Sequence, residues 1–339
     1  MTKTNIRAAL MATAALVGTL AASSAFAGEA KTLCVYDPSG ANGDSFQFMK
    51  DYKTAAVAWG VDFTLKPFTD EKIAAEDFKA SQCDVALLTG TRTRAFNKFT
   101  GTIEAMGALS EYPLLKKLIK NLASPKAGKL MRSGDYEVAG VFPGGAVFLF
   151  VNDRNIDTVG ELAGKRIAAL DFDKAAQVMV RHVGASMVPA ELATFSGMFN
   201  NGSVQAAYSP SLGYKALELY KGIGKNGGVI RYPLAQLTFQ LVTRPGSMPE
   251  GFGEKSRAWA AANFDKFLKV VKRSDAGVDA KHWVDIPDAD KAKYDIMFQE
   301  VRIRLRDQEK VYDKKMLKLL RKLRCKADGA RAECAEKKE

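Results

Sequence analysis

What this 339-residue chain lacks narrows its chemistry first. It carries only two histidines, His182 and His282, and four cysteines. A metal centre built from these residue types needs closely spaced ligand pairs, and neither histidine lies near another candidate ligand of that kind. Cys325 and Cys334 are too far apart in sequence for such a pair, so no metal site is expected. There is no G-x-S-x-G, no G-x-G-x-x-G and no G-x-x-x-x-G-K-[ST], which leaves an activated serine and a nucleotide cofactor without support. The chain therefore reads as a non-enzyme with no cofactor. No nucleic-acid-binding motif accompanies the net charge of +12, so that charge is not read as a nucleic-acid footprint. Long apolar runs are missing as well: Ala8–Leu20 is too short to span a bilayer, and no later stretch does better.

What is present begins with a leader. Lys3 and Arg7 precede the apolar run, and Ala25-Phe26-Ala27 forms an A-x-A cleavage site. Residues 1–27 are therefore expected to be a signal peptide, the mature chain starting near Gly28 and working in the periplasm. In an exported protein four cysteines point to two disulfides. Cys34 in the first strand and Cys83 just before the third become neighbours in a 2-1-3 sheet order, and Cys325 with Cys334 closes a small loop.

The segment from Thr158 to Pro210 carries the clearest fold signal. Arg166–Leu170 is a compact apolar strand, Asp173 caps a helix with Ala176, Val180 and Val183 on one face, and Gly184 stops it. A second helix over Ala190–Phe199 ends in Asn200-Asn201-Gly202, and Val204–Tyr208 is another buried strand. Strands and helices alternating with short connections specify an α/β layer with parallel strands. The same β-α-β-α-β order occurs over Thr32–Leu88. In such sheets ligands sit outside the carboxyl ends of the strands. That rule selects Asp37, Ser39, Asn42, Thr89 and Arg92 in the first unit, and Asp171, Phe172, Tyr208 and Ser209 in the second. Arg94 shares the loop with Arg92, and Arg92 is preferred from its loop position as the group for an anionic ligand.

Two strand-prone stretches bracket the second unit: Ala146–Asn152, preceded by Pro143-Gly144-Gly145, and Leu237–Val242. They read as chain crossings, with the glycines supplying hinge torsions. From Asp288 a long helical pattern runs to about Lys326. Between Arg302 and Lys326 lie eleven cations and three acids. This face is either simply solvated or a contact for an anionic envelope surface or acidic partner.

The order L-x-G-K-x-I from Leu162, a helix ending in Gly184-Ala185, and F-x-N-G-x-V from Phe199 resembles the second lobe of TRAP-type periplasmic solute-binding proteins. It is particularly similar to a subgroup that has carried an efflux-pump label. The resemblance implies a two-lobe clamshell with a long C-terminal helix: lobe one from 28–145 and 244–287, lobe two from 146–243, and a basic C-terminal helical extension over 288–339. It also implies capture of a small polar or anionic solute between the lobes for TRAP-type permease subunits; the alternative is an envelope accessory or sensor that uses the basic helix. The family arginine that grips a substrate carboxylate is expected at position 168, where this chain has Ala168.

Overall fold

A computed structural model describes residues 28–339; the leader expected over 1–27 lies outside the described residues. The first lobe starts with β1 (Glu29–Tyr36), α1 (Asp44–Val57), β2 (Val61–Phe68), α2 (Glu71–Lys79) and β3 (Val85–Thr89). Short helices α3 (Gly90–Thr93) and α4 (Lys98–Gly101) and then α5 (Tyr112–Leu122) follow, and β4 (Arg132–Ser133) leads into β5 (Tyr136–Val151). The second lobe contains β6 (Arg166–Leu170), α6 (Lys174–His182), β7 (Ser186–Ala190), α7 (Leu192–Asn200), β8 (Ala206–Pro210), α8 (Leu212–Ala216) and α9 (Tyr220–Ile223). The chain returns along β9 (Gly228–Thr243) to α10 (Phe252–Ala262), α11 (Phe264–Ala276) and β10 (Trp283–Val284). It ends with α12 (Asp288–Asp307), α13 (Lys314–Ala327) and α14 (Ala332–Glu336).

The sheet order β2-β1-β3-β9-β5-β8-β6-β7 explains the two lobes. β5 and β9 are 16-residue antiparallel partners at the centre, each about 50 Å long at roughly 3.3 Å per residue. β3 meets β9 only at its 239–243 end, and β8 meets β5 only at its 147–151 end. Each parallel set therefore hangs from an opposite end of one ribbon. Between those ends the register slips at Pro143–Gly145, and Gly145 has φ +112°. Proline cannot donate to the ladder and this φ suits only glycine, so the expected break becomes a bulge within a continuous strand. The crossing strand accordingly starts ten residues before Ala146.

Alternation decides what is buried. In β2, Val61 and Phe63 point inward while Asp62 and Thr64 face water. Phe63, Phe78, Phe252, Phe264 and Phe267 are fully buried in the lobe-one core, each contributing about 1.5–3 kcal/mol. The lobe-two sheet has separate apolar clusters on its two faces. Both expected disulfides are present, with Cα–Cα distances of 5.9 Å for Cys34–Cys83 and 5.5 Å for Cys325–Cys334.

The long C-terminal helix is corrected: it is three helices. Lys310 takes φ +56°, Val311 N–H bonds back to the Leu305 carbonyl at 2.7 Å, and Asp313 caps α13 by accepting from the backbone of Lys315 and Met316. The reversal lets Leu305, Leu317 and Leu320 all enter the lobe-one core, which one straight helix would not permit. The cations of this region do not form one solvated face either, because Arg302, Arg321 and Arg324 are buried. Arg302 and Arg324 share Glu333 and Glu339, and their Nη1 atoms donate to the carbonyls of Met106 and Ala108. Burying a guanidinium without such partners would be strongly unfavourable.

Candidate functional site

A cavity of about 200 Å³ opens between the lobes. Its walls come from the ends of β3 and β8, from the central β5–β9 ribbon, from α6 and from α12. Most of its lining is aliphatic or aromatic: Leu149, Ile167 and Ile230 form a sheet floor, Met179 and Val180 a wall, and Met297 with Phe298 the facing helix. The charged side chains on the lining are Glu71, Arg94, Glu104 and Asp173.

These groups gather at one end, each held by local structure. Asp173 caps α6 by accepting from Ala176 N–H at 3.2 Å. It also accepts from the Tyr208 hydroxyl at 3.3 Å and lies 3.7 Å from Arg94 Nη1. Tyr208 in turn accepts from the Leu170 N–H at 3.1 Å, so one hydroxyl ties the ends of β6 and β8 together. Arg94 donates from Nε to the Gly101 carbonyl and approaches the ring of Tyr312 at 5.4 Å. Glu104 accepts from Gly90 N–H, Thr91 Oγ1, and both N–H and Oγ1 of Thr238. Gly90 is required there, because a Cβ would collide with Glu104 Oε1 and Thr238. Burial nevertheless pushes the Glu104 carboxyl up, its hydrogen bonds opposing only in part. Burial likewise raises Glu71, against the pull of Arg92, and pushes the Tyr312 hydroxyl up to about 12. The Met106 backbone approaches the Tyr312 oxygen, but the hydroxyl proton has no acceptor among the described residues.

The sequence-selected residues separate into three groups. Thr89, Phe172, Tyr208 and Ser209 line the interlobe cavity. Asp37, Ser39 and Asn42 line a second, neighbouring cavity of about 170 Å³, with Asp44, Ser211 and Leu212. Asp37 is spent on local structure, its carboxylate accepting from the backbone of Ser39, Ser45 and Phe46. Arg92 and Asp171 line neither cavity. The Arg92 guanidinium lies flat against Phe172, 3.4 Å from the ring centroid, and its Nε faces Glu71 Oε2 at 3.7 Å. Asp171 is exposed. Ala168 is fully buried within β6 and contributes to lobe-two packing.

Sequence reasoning ranked Arg94 behind Arg92 and did not single out Glu71, Glu104 or Tyr312. Glu104 had a signal, an acid set in the apolar-flanked run Ile103-Glu104-Ala105-Met106. Tyr312 had none, because only the chain reversal after α12 brings it back to the cleft.

Two lobes on a crossed ribbon with a cavity between them define a periplasmic-binding-protein type of molecule. The model of the Solute-binding protein AdeT 1/2 family matches residues 53–339, and the chain belongs to that family. It is 39% identical to the solute-binding protein AdeT1 of Acinetobacter baumannii over 301 residues, covering 89% of this chain and 99% of the relative. It is 28% identical to AdeT2 of the same organism over 234 residues, covering 69% and 98%. The fold is also similar to TRAP periplasmic solute-binding proteins. One from Ralstonia eutropha H16, with bound (S)-2-acetolactate, has a TM-score of 0.72 at 11% identity, covering 88% of this chain and 99% of that one. Another from Rhodoferax ferrireducens, with bound malonate, has a TM-score of 0.69 at 12% identity, covering 87% and 98%. The family is one of solute-binding proteins rather than enzymes, and among the described residues no helix is long and apolar enough to cross a membrane.

Proposed function

We propose that the chain works in the periplasm as the capture component of a solute transporter, holding a small polar-headed solute between its lobes and presenting it to TRAP-type permease subunits. The observation that carries this reading is the cavity placed where the ends of β3 and β8 face one another across the β5–β9 ribbon. Ligand-contact roles go to Thr89, Phe172, Tyr208 and Ser209, joined by Arg94 and Asp173. A thermal-shift screen of organic acids, amino acids, amines and sugars tests it, since a solute at 100 times its Kd adds about 2.7 kcal/mol of stability. A hit whose affinity falls at least tenfold in Tyr208→Ala supports the reading. A hit insensitive to Tyr208→Ala and Arg94→Ala places binding elsewhere.

One observation favours an added surface role. Lys314, Lys315, Lys318, Lys322 and Lys326 of α13 are all exposed. Together they offer a basic row to an anionic envelope surface. Vesicles containing anionic lipid should retain the protein at low salt, and Lys314→Gln/Lys318→Gln/Lys322→Gln should release it. Wild-type protein that fails to bind at low salt leaves the row merely solvated.

A further inference from the structure

The chemistry of the cavity also selects its solute. This inference rests on the interlobe cavity being the binding site and goes on to the class of molecule it accepts. Three observations bear on the choice. First, away from the Arg94–Asp173 end the lining is apolar, running from the sheet floor at Leu149 and Ile230 to Met297 and Phe298 of α12. A small dicarboxylate would leave that surface uncovered, whereas an apolar body would remove it from water.

Second, the charge of the polar end is wrong for a carboxylate. Of the four charged residues on the lining, three are acids and one is a cation. The cation, Arg94, donates from Nε to the Gly101 carbonyl and faces the Asp173 carboxylate with Nη1 at 3.7 Å, so its charge is offset before a ligand arrives. The neighbouring Arg92 is stacked on Phe172 beside Glu71 and lines neither cavity. An incoming carboxylate would meet a lining with three acids and one guanidinium that already faces a carboxylate, and position 168 supplies alanine. Like charges in a partly buried site repel strongly.

Third, Tyr312 lines the cavity, is 3% exposed, and its hydroxyl proton has no acceptor among the described residues, while the Met106 backbone approaches the oxygen. A buried hydroxyl left unmatched is unfavourable, so a ligand group that bonds to it gains more than one meeting a satisfied hydroxyl. It stands beside Arg94, at the polar end.

We propose that the solute is an apolar-bodied molecule whose head is an amine or a hydroxyl rather than a carboxylate, with the head against Asp173, Tyr208 and Tyr312 and the body along the α6–α12 arm of the cavity.

Titration calorimetry with 4-phenylbutylamine, 4-phenylbutanol, 4-phenylbutyrate and succinate, on the full mature chain, tests this directly. The amine and the alcohol should bind at least tenfold more tightly than 4-phenylbutyrate, and succinate should be weakest. Asp173→Asn keeps an N-cap acceptor for α6 and should shrink the amine-to-carboxylate ratio at least fivefold. Tyr312→Phe should weaken the alcohol at least threefold while the unliganded melting temperature holds or rises. Tighter binding of 4-phenylbutyrate than of the amine, or of succinate than of all three phenyl probes, overturns the inference and leaves interlobe capture standing. If Asp173→Asn and Tyr312→Phe change nothing for a probe that binds, the head has been placed wrongly and the inference fails. If none of these probes binds and the wider screen gives no solute, both readings fall.

Discussion

Tyr208 joins the two lobe-two strands that reach the cleft through a single hydroxyl, accepting from Leu170 and donating to Asp173. Tyr208→Phe leaves the Leu170 N–H unpaired in a mostly buried setting, which should lower unfolding free energy by about 1–3 kcal/mol in urea melts. No change would mean that water replaces the bond. The residue was legible in the sequence because it follows a strand at the ligand end of an α/β unit, and Thr89, Phe172 and Ser209 were found by the same rule. Arg92 and Arg94 show where that rule stops. Both leave β3 on the same side of the sheet, yet the first stacks on Phe172 and the second reaches the cavity. The choice depends on Glu71, Gly101 and Asp173, contacts that no single-sequence pattern contains. Asp37, selected by the same rule, lines the second cavity, and its carboxylate also binds the helix start itself, a local use that the pattern does not reveal.

The C-terminal helices illustrate how an element can be recognised and its path still missed. Their apolar positions were visible as a helical pattern, but the reversal at 308–313 rests on Lys310 in a left-handed conformation and on Asp313 as a cap. The excess of cations then suggested a solvated face, whereas α14 supplies an acid to two of the arginines. Burial pushes Glu333 up, but hydrogen bonds from Arg324 and the charges of Arg324, Arg302 and Arg331 outweigh it and hold the carboxyl at about 2. Because the folded value lies below the unfolded one, near 4.5, this stabilisation is complete above about pH 4.5 and is lost as pH falls toward 2. Glu333→Gln should therefore destabilise the protein by about 3 kcal/mol at pH 7, with the gap to wild type closing below pH 4.5. A gap independent of pH would show that Glu333 acts through packing alone.

At the scale of the molecule, β5 and β9 do two things at once. Their ends anchor the parallel strands of each lobe, and their middle, with the bulge at Pro143–Gly145, is a stretch of the sheet that neither β3 nor β8 flanks. The alternation of strands and helices made the two units readable, and the paired apolar stretches marked the crossings. The full 16-residue length of each crossing strand was not readable, because Pro143 ends a strand by local propensity while tertiary pairing carries the strand through as a bulge. Closure about this ribbon would bring Thr89 and Tyr208 together around a solute, and the account stands on a solute occupying that space. Leu212, partly buried at the start of α8, lines both interlobe cavities, so a larger side chain there fills the cleft without entering a lobe core. The most direct measurement is calorimetric titration of the tightest solute from the screen into wild type and Leu212→Trp, alongside their unliganded melting curves. Leu212→Trp should lose at least tenfold in affinity with the melting temperature little changed. Equal affinity in the two proteins, within threefold, would show that the solute binds outside the cleft and would contradict interlobe capture.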